Sequence, residues 1–238
     1  MKALIIDVES VGEPFDALDE TTKHVMLNPL HKKYKNQEEY AAAFEDLKLE
    51  MGLSALTGRA VAVGMYDAET LQGWCYFDTA GRATQPFEEN GIQYIPAGEQ
   101  QMLQAFWAKV PEYNAIVTFN GWGFDIPFLN HRAAFYHIKP TRNLMTNRFL
   151  SSQRGPVKHI DLQDVLSYNG AIRRKGSLHL WCRAFGIASP KVLGEAGDDV
   201  ARMYQEGQFE TIARYNGRDL IATKQLYDYW SEYLKLDP

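Results

Sequence analysis

An apolar stretch at residues 3–9 carries two acidic side chains within what has the composition of a buried strand. Aliphatic and β-branched residues dominate the stretch, as is typical of a central strand. Its acids, Asp7 and Glu9, are two positions apart, and alternate residues of a strand point to the same face. The chain must therefore fold so that two neighbouring carboxylates leave one face of a sheet beside its core.

The order of the remaining elements predicts the fold class. Two further strands, at residues 59–66 and 72–78, are joined by a tight turn at 67–70. The later part of the chain alternates short strands with helices, and residues 79–98 read as a loop. This order predicts an α/β fold with a mixed sheet, antiparallel in its first three strands and then parallel, flanked by helices. The expected later strands are 115–119 and 157–160, and the expected helices are 99–109, 177–185 and 209–234.

The roughly fifty residues between the first two strands predict a helical excursion. A polar stretch comes first, and residues 36–39 then resemble a capping box. Tyr40, Phe44, Leu47 and Met51 follow at helical spacing, and Gly52 is placed to end the helix. We therefore expect a single domain over residues 1–238 with a helical insertion at about 15–57.

Bulk composition is typical of a globular protein. The 238 residues are 45% hydrophobic and 23% charged, with no apolar run long enough to cross a membrane. Two distant cysteines, Cys75 and Cys182, suit reduced core thiols in a cytoplasmic protein, and the N-terminus reads as a strand, not a signal peptide. A net charge of −5 leaves a polyanionic partner possible, because bound cations would make a carboxylate site locally positive.

Two further acids occupy distinctive positions. Asp125 begins a helix directly after a strand, within residues 120–127. Asp219 lies on the last helix one turn after Tyr215, on a face that continues through apolar residues. A carboxylate on such a face is costly unless a cation or a donor compensates it, and a metal ion would do so.

Each of these fragments has a simpler interpretation when it stands alone. Asp-x-Glu is expected about once by chance in a chain of this composition, and it recurs at Asp67 and Glu69 in the expected turn. Asp125 alone is most simply a helix N-cap. Asp161, next to His159, is expected to cap a helix and is the one rival to Asp125 as a site carboxylate. The combination of chain order and element type is what favours a shared site.

In this order the motifs resemble those of the DEDD exonucleases, which share the ribonuclease H-like fold. Asp7-Val8-Glu9 matches their first motif, and residues 120–127 are similar to the second motif of B-family DNA polymerase proofreading domains. Tyr215 and Asp219 match the Tyr-x-x-x-Asp form of the third motif, because the histidine form needs a His where this chain has Arg214. The chain thus resembles the tyrosine (DEDDy) subclass of polymerase-B-like exonucleases over most of its length except residues 15–57.

This resemblance implies a cofactor and a set of roles. Two divalent cations, Mg²⁺ or Mn²⁺, are expected to act on the terminal phosphodiester. Asp7, Glu9 and Asp219 would hold one ion, Asp7 would bridge to the other, and Asp125 would bind that other ion directly or through water. Tyr215 would orient the attacking water.

Four other residues are expected to contact the substrate. They are Ser10, which stands where the family commonly has threonine, Asn120, Phe124 and Lys175. Phe124 suits base stacking and core packing equally well.

The resemblance implies a 3′-5′ exonuclease that shortens a nucleic-acid 3′ end and releases nucleoside 5′-monophosphates. Single-stranded DNA is the expected substrate, and no membrane is expected to take part. The resemblance also admits a replication or repair protein as a partner. One alternative is a 3′-5′ exoribonuclease built on the same site. The other is a non-catalytic nucleic-acid-binding module, or a proofreading subunit that acts only within a complex.

Overall fold

The computed structural model describes residues 1–191 and 199–235, which form one seven-stranded mixed sheet with helices on both faces. The order of the strands across the sheet is β4-β5-β3-β2-β1-β6-β7. The strands are β1 (Ala3–Gly12), β2 (Gly58–Asp67), β3 (Gly73–Phe77), β4 (Phe87–Glu89), β5 (Ile92–Pro96), β6 (Ala115–Thr118) and β7 (Lys158–Asp161).

The pairing of the strands confirms the predicted fold class. β1, β2 and β3 pair antiparallel, and β6 and β7 continue the sheet in parallel beside β1. The register of β1 against β2 shifts between Glu9 and Ser10, which is a β-bulge directly beside the acidic pair. Such bulges bend a strand and change the direction of its side chains.

The two faces of β1 belong to two separate cores. Leu4 and Ile6 pack into the cluster beneath the helices that follow β5 and β6, whereas Ile5 packs on the opposite face against the last helix. By the alternation of the strand, Asp7 and Glu9 share the face of Ile5. The last helix therefore lies over the side of the sheet from which both carboxylates emerge.

Three of the described helices follow the sequence expectation. The third and last helices begin at the predicted residues, and Ser177 caps the sixth helix. Within the described residues none of the helices has the length and apolarity that a membrane span requires. The helices are α1 (Glu20–Lys33), α2 (Gln37–Glu50), α3 (Glu99–Lys109), α4 (Asp125–Phe135), α5 (Leu162–Leu166), α6 (Leu178–Ala184), α7 (Val200–Gln205) and α8 (Phe209–Tyr233).

The expected loop at residues 79–98 is wrong in part, because β4 and β5 form a hairpin there that extends the sheet beyond β3. Asn90 and Gly91 connect the two strands, both with positive φ angles of 53° and 75°. Asn-Gly is the dipeptide that two-residue hairpin turns prefer, so the signal was present in the sequence. The two strands are short, at 3 and 5 residues, and carry little periodicity.

The segment at residues 15–57 holds two helices, where the sequence predicted one helix after a polar stretch. Asp19 caps α1 by accepting hydrogen bonds from the backbone N–H groups of Thr21 and Thr22. No residue of α1 is buried and Pro29 lies within it, so the helix lacks the apolar periodicity that would reveal it. Asn36 caps α2 as expected, through the N–H of Glu38. That residues 15–57 are an insertion stays a prediction.

A buried ion pair joins α3, α4 and the irregular part of β2. The Glu99 carboxylate accepts two hydrogen bonds from the Arg132 guanidinium, at 2.8 and 2.7 Å. It also accepts from the Ala60 N–H at 2.7 Å and from the Tyr136 hydroxyl at 3.0 Å. Ala60 pairs with Ser10 on the far side of the bulge, so this carboxylate supports the strand segment that adjoins the acidic pair.

We predict that Arg132→Met lowers the free energy of unfolding by about 3–5 kcal/mol, because it leaves the Glu99 carboxylate buried without its cation. Urea denaturation followed by circular dichroism measures the change. The matched control is Lys224→Met, which removes an exposed pair with Asp228 and should cost less than about 1 kcal/mol. Equal unfolding midpoints for the two variants would contradict this interpretation of the buried pair.

Candidate metal-binding active site

Three carboxylates from the two ends of the chain meet on the α8 face of the sheet. Asp7 and Glu9 of β1 and Asp219 of α8 each offer an oxygen, and these three oxygens lie within 4.8 Å of one another. Because Glu9 and Asp219 are more than 200 residues apart in sequence, the cluster exists only in the folded chain. The distance is short enough for one cation to contact all three.

Asp125 lies just outside this group of three. It is the first residue of α4, and Phe124 occupies the N-cap position without a side-chain cap bond, so the simpler interpretation of Asp125 as an N-cap is wrong. Its side chain is only 4% exposed. Its negative charge raises the pKa of both Asp7 and Glu9, which places it near them.

The loop that presents Asp125 is held by Asp161. The Asp161 carboxylate accepts hydrogen bonds at 2.9 Å from the backbone N–H groups of Asn120 and Trp122. It also caps α5 through Gln163 and Asp164, as the sequence predicted. Asp161 therefore lies beside the site, and its carboxylate is already occupied by hydrogen bonds from backbone N–H groups.

Burial and mutual repulsion raise the pKa of all four acids. Burial is the largest cause in each case, followed by the charge of Asp125 for Asp7 and by the charge of Asp7 for Glu9 and Asp219. The pKa values are about 8 for Asp7 and Asp219 and about 7 for Asp125, and that of Glu9 is well above its usual range. Without a cation the four carboxyls cannot all be ionised at neutral pH.

Asn216 positions Asp7, and the sequence interpretation missed it. Its side-chain amide donates to Asp7 Oδ2 at 2.8 Å, and its own oxygen accepts from the Cys75 thiol at 3.4 Å. Gly64 of β2 makes room for it, because a Cβ atom there would lie 2.0 Å from Asn216 Oδ1. The available signal was the spacing of three residues between Asn216 and Asp219, which places both on one face of the helix.

Tyr215 is buried beside Asp219, and a hydrogen bond between their side chains lowers the pKa of Asp219. Burial, followed by the negative charge of Asp219, raises the pKa of the Tyr215 phenol above its usual range. The hydroxyl therefore keeps its proton at neutral pH and can act as a hydrogen-bond donor toward the site.

The expected substrate contacts have different surroundings. Phe124 is half-buried, packs against Phe128 and lines a groove beside Glu9. Asn120 is exposed in the loop with a φ of 66°. The Ser10 hydroxyl donates to the carbonyl of Gly52 at 2.6 Å. Lys175 contacts Asp164 at 3.1 Å, so its ammonium is already paired with an acid outside the cluster.

The residues around the cluster fit a divalent cation. Asp219 Oδ1 is buried without a hydrogen-bond partner, which is costly for a carboxylate oxygen and is relieved by a metal ion. The donors are all carboxylate oxygens, which suit hard cations such as Mg²⁺ and Mn²⁺. His159 takes no part in this, because it is buried and contacts Thr118 at 2.9 Å, and burial lowers its pKa to about 4.

Residues 80–233 match a family described as predicted 3′-5′ exonucleases related to the exonuclease domain of PolB. The chain belongs to this family. The match includes Asp125, Tyr215 and Asp219 but starts after β1, so the place of Asp7 and Glu9 in the site comes from the fold. The predicted polymerase-B-like resemblance is confirmed at this level.

The similar proteins are much longer than this chain. It is 25% identical over 165 residues to a DNA polymerase of Desulfurococcus sp. (strain Tok) and 24% identical over 165 residues to one of Thermococcus gorgonarius. Each alignment covers 63% of this chain but 21% of the polymerase. The family B DNA polymerase of Pyrobaculum calidifontis shares the fold, with a TM-score of 0.60 at 15% identity over 97% of this chain and 24% of the polymerase.

The raised pKa values predict how pH and metal affect stability. A group whose pKa is higher in the folded state stabilises the fold below its unfolded pKa and loses that contribution as pH rises through the folded value. In a chelator, the melting temperature should therefore fall between pH 5 and pH 8.5, as Asp125, Asp7 and Asp219 ionise at about 7 to 8. Saturating Mn²⁺ should raise it by about 5–10 °C at pH 8.5 and by less at pH 5.

Differential scanning fluorimetry measures both effects. Asp219→Asn removes one of the expected ligands, and so the Mn²⁺-dependent rise should shrink in that variant. An equal rise at both pH values, or a full rise in the variant, would contradict the assignment of this cluster as a cation site.

Proposed function

We propose that the chain is a 3′-5′ exonuclease of the tyrosine subclass that removes nucleotides from the 3′ end of single-stranded DNA and releases nucleoside 5′-monophosphates. The observation that carries the proposal is the meeting of Asp7, Glu9 and Asp219 within 4.8 Å, with the buried Asp125 beside them. Family membership supports the direction of cleavage. Because the chain spans about a fifth of the length of the polymerases that it matches, their polymerase activity is not part of the proposal.

The acids have distinct roles in this proposal. Asp7, Glu9 and Asp219 would hold one divalent ion, and Asp7 with Asp125 would hold a second. Bound there, the two ions would supply a nucleophilic water at neutral pH and neutralise charge on the departing 3′ oxygen. Asn216 fixes the orientation of the Asp7 carboxylate, because its amide donates to one of the two oxygens and leaves the other for an ion.

Tyr215 would act by position and not as a base. Its raised pKa keeps the phenol protonated, so its hydroxyl can donate a hydrogen bond but cannot accept a proton from water at neutral pH. Its place one helical turn before Asp219 directs the hydroxyl toward the same carboxylate that faces the cluster. Orienting the attacking water is the role that this arrangement supports.

We expect Asp7→Ala and Asp219→Ala to abolish cleavage while the circular dichroism spectrum is retained, because each removes a ligand of the proposed ions. The assay uses 5′-labelled single- and double-stranded DNA and RNA with Mg²⁺ or Mn²⁺, with and without chelator. A ladder that shortens from the 3′ end of DNA supports the proposal. Preference for matched RNA would select the exoribonuclease, and binding without shortening would select the non-catalytic module.

The chain contains its own control for these variants. Glu69→Ala alters the last residue of the second Asp-x-Glu, whose Asp67 carboxylate is occupied by the N–H groups of Glu69 and Thr70 and by the Tyr113 hydroxyl. Glu69 is exposed in the turn after β2. This variant should cleave like the wild type, whereas wild-type rates in both Asp variants would end the proposal.

We expect Tyr215→Phe to lower kcat by about a hundredfold and to leave KM nearly unchanged, because it removes one positioning hydrogen bond but no ion ligand. The same labelled single strand, followed over time under saturating Mn²⁺, gives both constants. Tyr113→Phe alters another tyrosine, whose hydroxyl donates to Asp67 at the end of β2, and serves as the control. A wild-type kcat in Tyr215→Phe would contradict the assigned role.

A further inference from the structure

A groove opens directly beside Glu9, and one of its walls comes from the α1–α2 segment. The groove encloses about 400 Å³ between Glu9 and Phe124 on one side and the end of α2 on the other. Leu49 of α2 and Leu53 after it line this wall and remain 54% and 65% exposed. An apolar surface of this kind beside an acidic cluster suits the face of a base or a sugar.

The groove continues away from the acids. A second cavity of about 460 Å³ shares Val11, Gly12, Lys48 and Ala201 with the first, so the two spaces adjoin at these residues. The second cavity is lined by Arg59 and Arg82. The lining of the two adjoining cavities therefore leads from Glu9, past Lys48, to Arg82.

The charge along this path changes sign with distance from the acids. Asp46 and Glu50 line the near part, and Lys48 stands at the junction. Lys48 forms an exposed pair with Glu45, and its ammonium lies 4.4 Å from the centre of the Phe44 ring. The Arg82 guanidinium packs over the Phe209 ring at 5.1 Å. Of the described residues that line the two cavities, Arg59 is already bound to Asp78 and Tyr204, whereas Lys48 and Arg82 can turn to a ligand.

The α2 wall is fixed firmly to the strand that carries the acids. The Ser10 hydroxyl donates to the Gly52 carbonyl at 2.6 Å, and the Thr57 hydroxyl donates to the Met51 carbonyl at 2.9 Å. The backbone of Gly52 approaches that of Gly12 so closely that a Cβ atom on Gly52 would lie 3.1 Å from the Gly12 nitrogen. These contacts attach the wall to β1 next to Glu9 and to the residue before β2.

We infer that this groove, formed by the two adjoining cavities, binds the single strand next to the scissile bond; we call it the track. The inference rests on the proposed function. The terminal nucleotides lie between the two leucines and Phe124, and the phosphates further from the 3′ end contact Lys48 and Arg82. Each cavity has the volume of a small-ligand pocket, which is enough for one or two nucleotide units of a strand. The α2 wall thereby supplies binding residues that lie outside the acidic cluster.

The test measures how salt affects binding of fluorescein-labelled dT12. Ca²⁺ replaces Mg²⁺, because its looser coordination fills carboxylate sites without the near-octahedral geometry of Mg²⁺. Lys48→Gln and Arg82→Gln should each weaken binding by about threefold to tenfold and lower the slope of log Kd against log salt by about 0.7. Glu50→Gln, on the same wall, should strengthen binding.

Lys32→Gln is the matched control, because Lys32 is an exposed lysine in the last turn of α1 that lines neither cavity. Melting temperatures of all variants should stay near that of the wild type, since the altered groups are exposed or make only surface contacts. If both Lys48→Gln and Arg82→Gln kept the wild-type Kd and the wild-type slope of log Kd against log salt, the proposed track would be wrong.

A small ester separates this inference from the proposed function. Thymidine 5′-(4-nitrophenyl phosphate) carries one nucleotide, so it occupies the acidic cluster and the terminal position but has no phosphates further from the 3′ end. In Mn²⁺, Lys48→Gln and Arg82→Gln should therefore raise the KM for dT12 by a larger factor than the KM for the ester. If the wild type hydrolyses neither the ester nor DNA, the proposed function fails, and the binding series still decides whether the groove holds a strand. Loss of ester hydrolysis in the groove variants would count against a track distinct from the cluster.

Discussion

Repulsion among four carboxylates, two of them buried and two half-buried, is the constraint on which the rest of this structure depends. Three of them lie within 4.8 Å of one another, and burial adds to their mutual repulsion. A fold that brings such groups together must either protonate them or bind cations. Because their pKa values are raised to about neutral pH or above, the carboxylates need a proton or a cation even at pH 7. The surrounding sheet and helices supply enough packing energy to hold this unfavourable arrangement in place.

The site is supported by groups that do not themselves face the cluster. Asp161 holds the loop before α4 through two backbone N–H groups, Asn216 holds Asp7, and the Glu99–Arg132 pair holds the strand segment beyond the bulge. Each support comes from a different part of the chain. Accurate positions for the acids therefore depend on contacts among β1, β2, β7, α3, α4 and α8.

The sequence predicted the elements that have strong periodicity or clear end signals, such as β1, α3 and α8, and through them the mixed sheet. It predicted the four acids as a group because each sits at an element end or on a core-facing position. It missed α1, which buries no residue, and the hairpin of β4 and β5, whose strands are short. It also missed Asn216, because the role of a buried amide is apparent only once its hydrogen-bond partners in the folded chain are known. The groove wall from α2 depends on backbone contacts between distant segments, which residue patterns do not report.

Gly64 shows how far the spacing of this site is determined by a residue that carries no functional group. It lies opposite Asp7 on the neighbouring strand, and the side chains of Asn216 and Leu220 occupy the space where its own would be. A single methyl group there would clash with both side chains and displace the Asn216 amide that holds Asp7. A related chain that keeps all four acids but has a larger residue at this strand position would therefore lose the contact that orients its first acid.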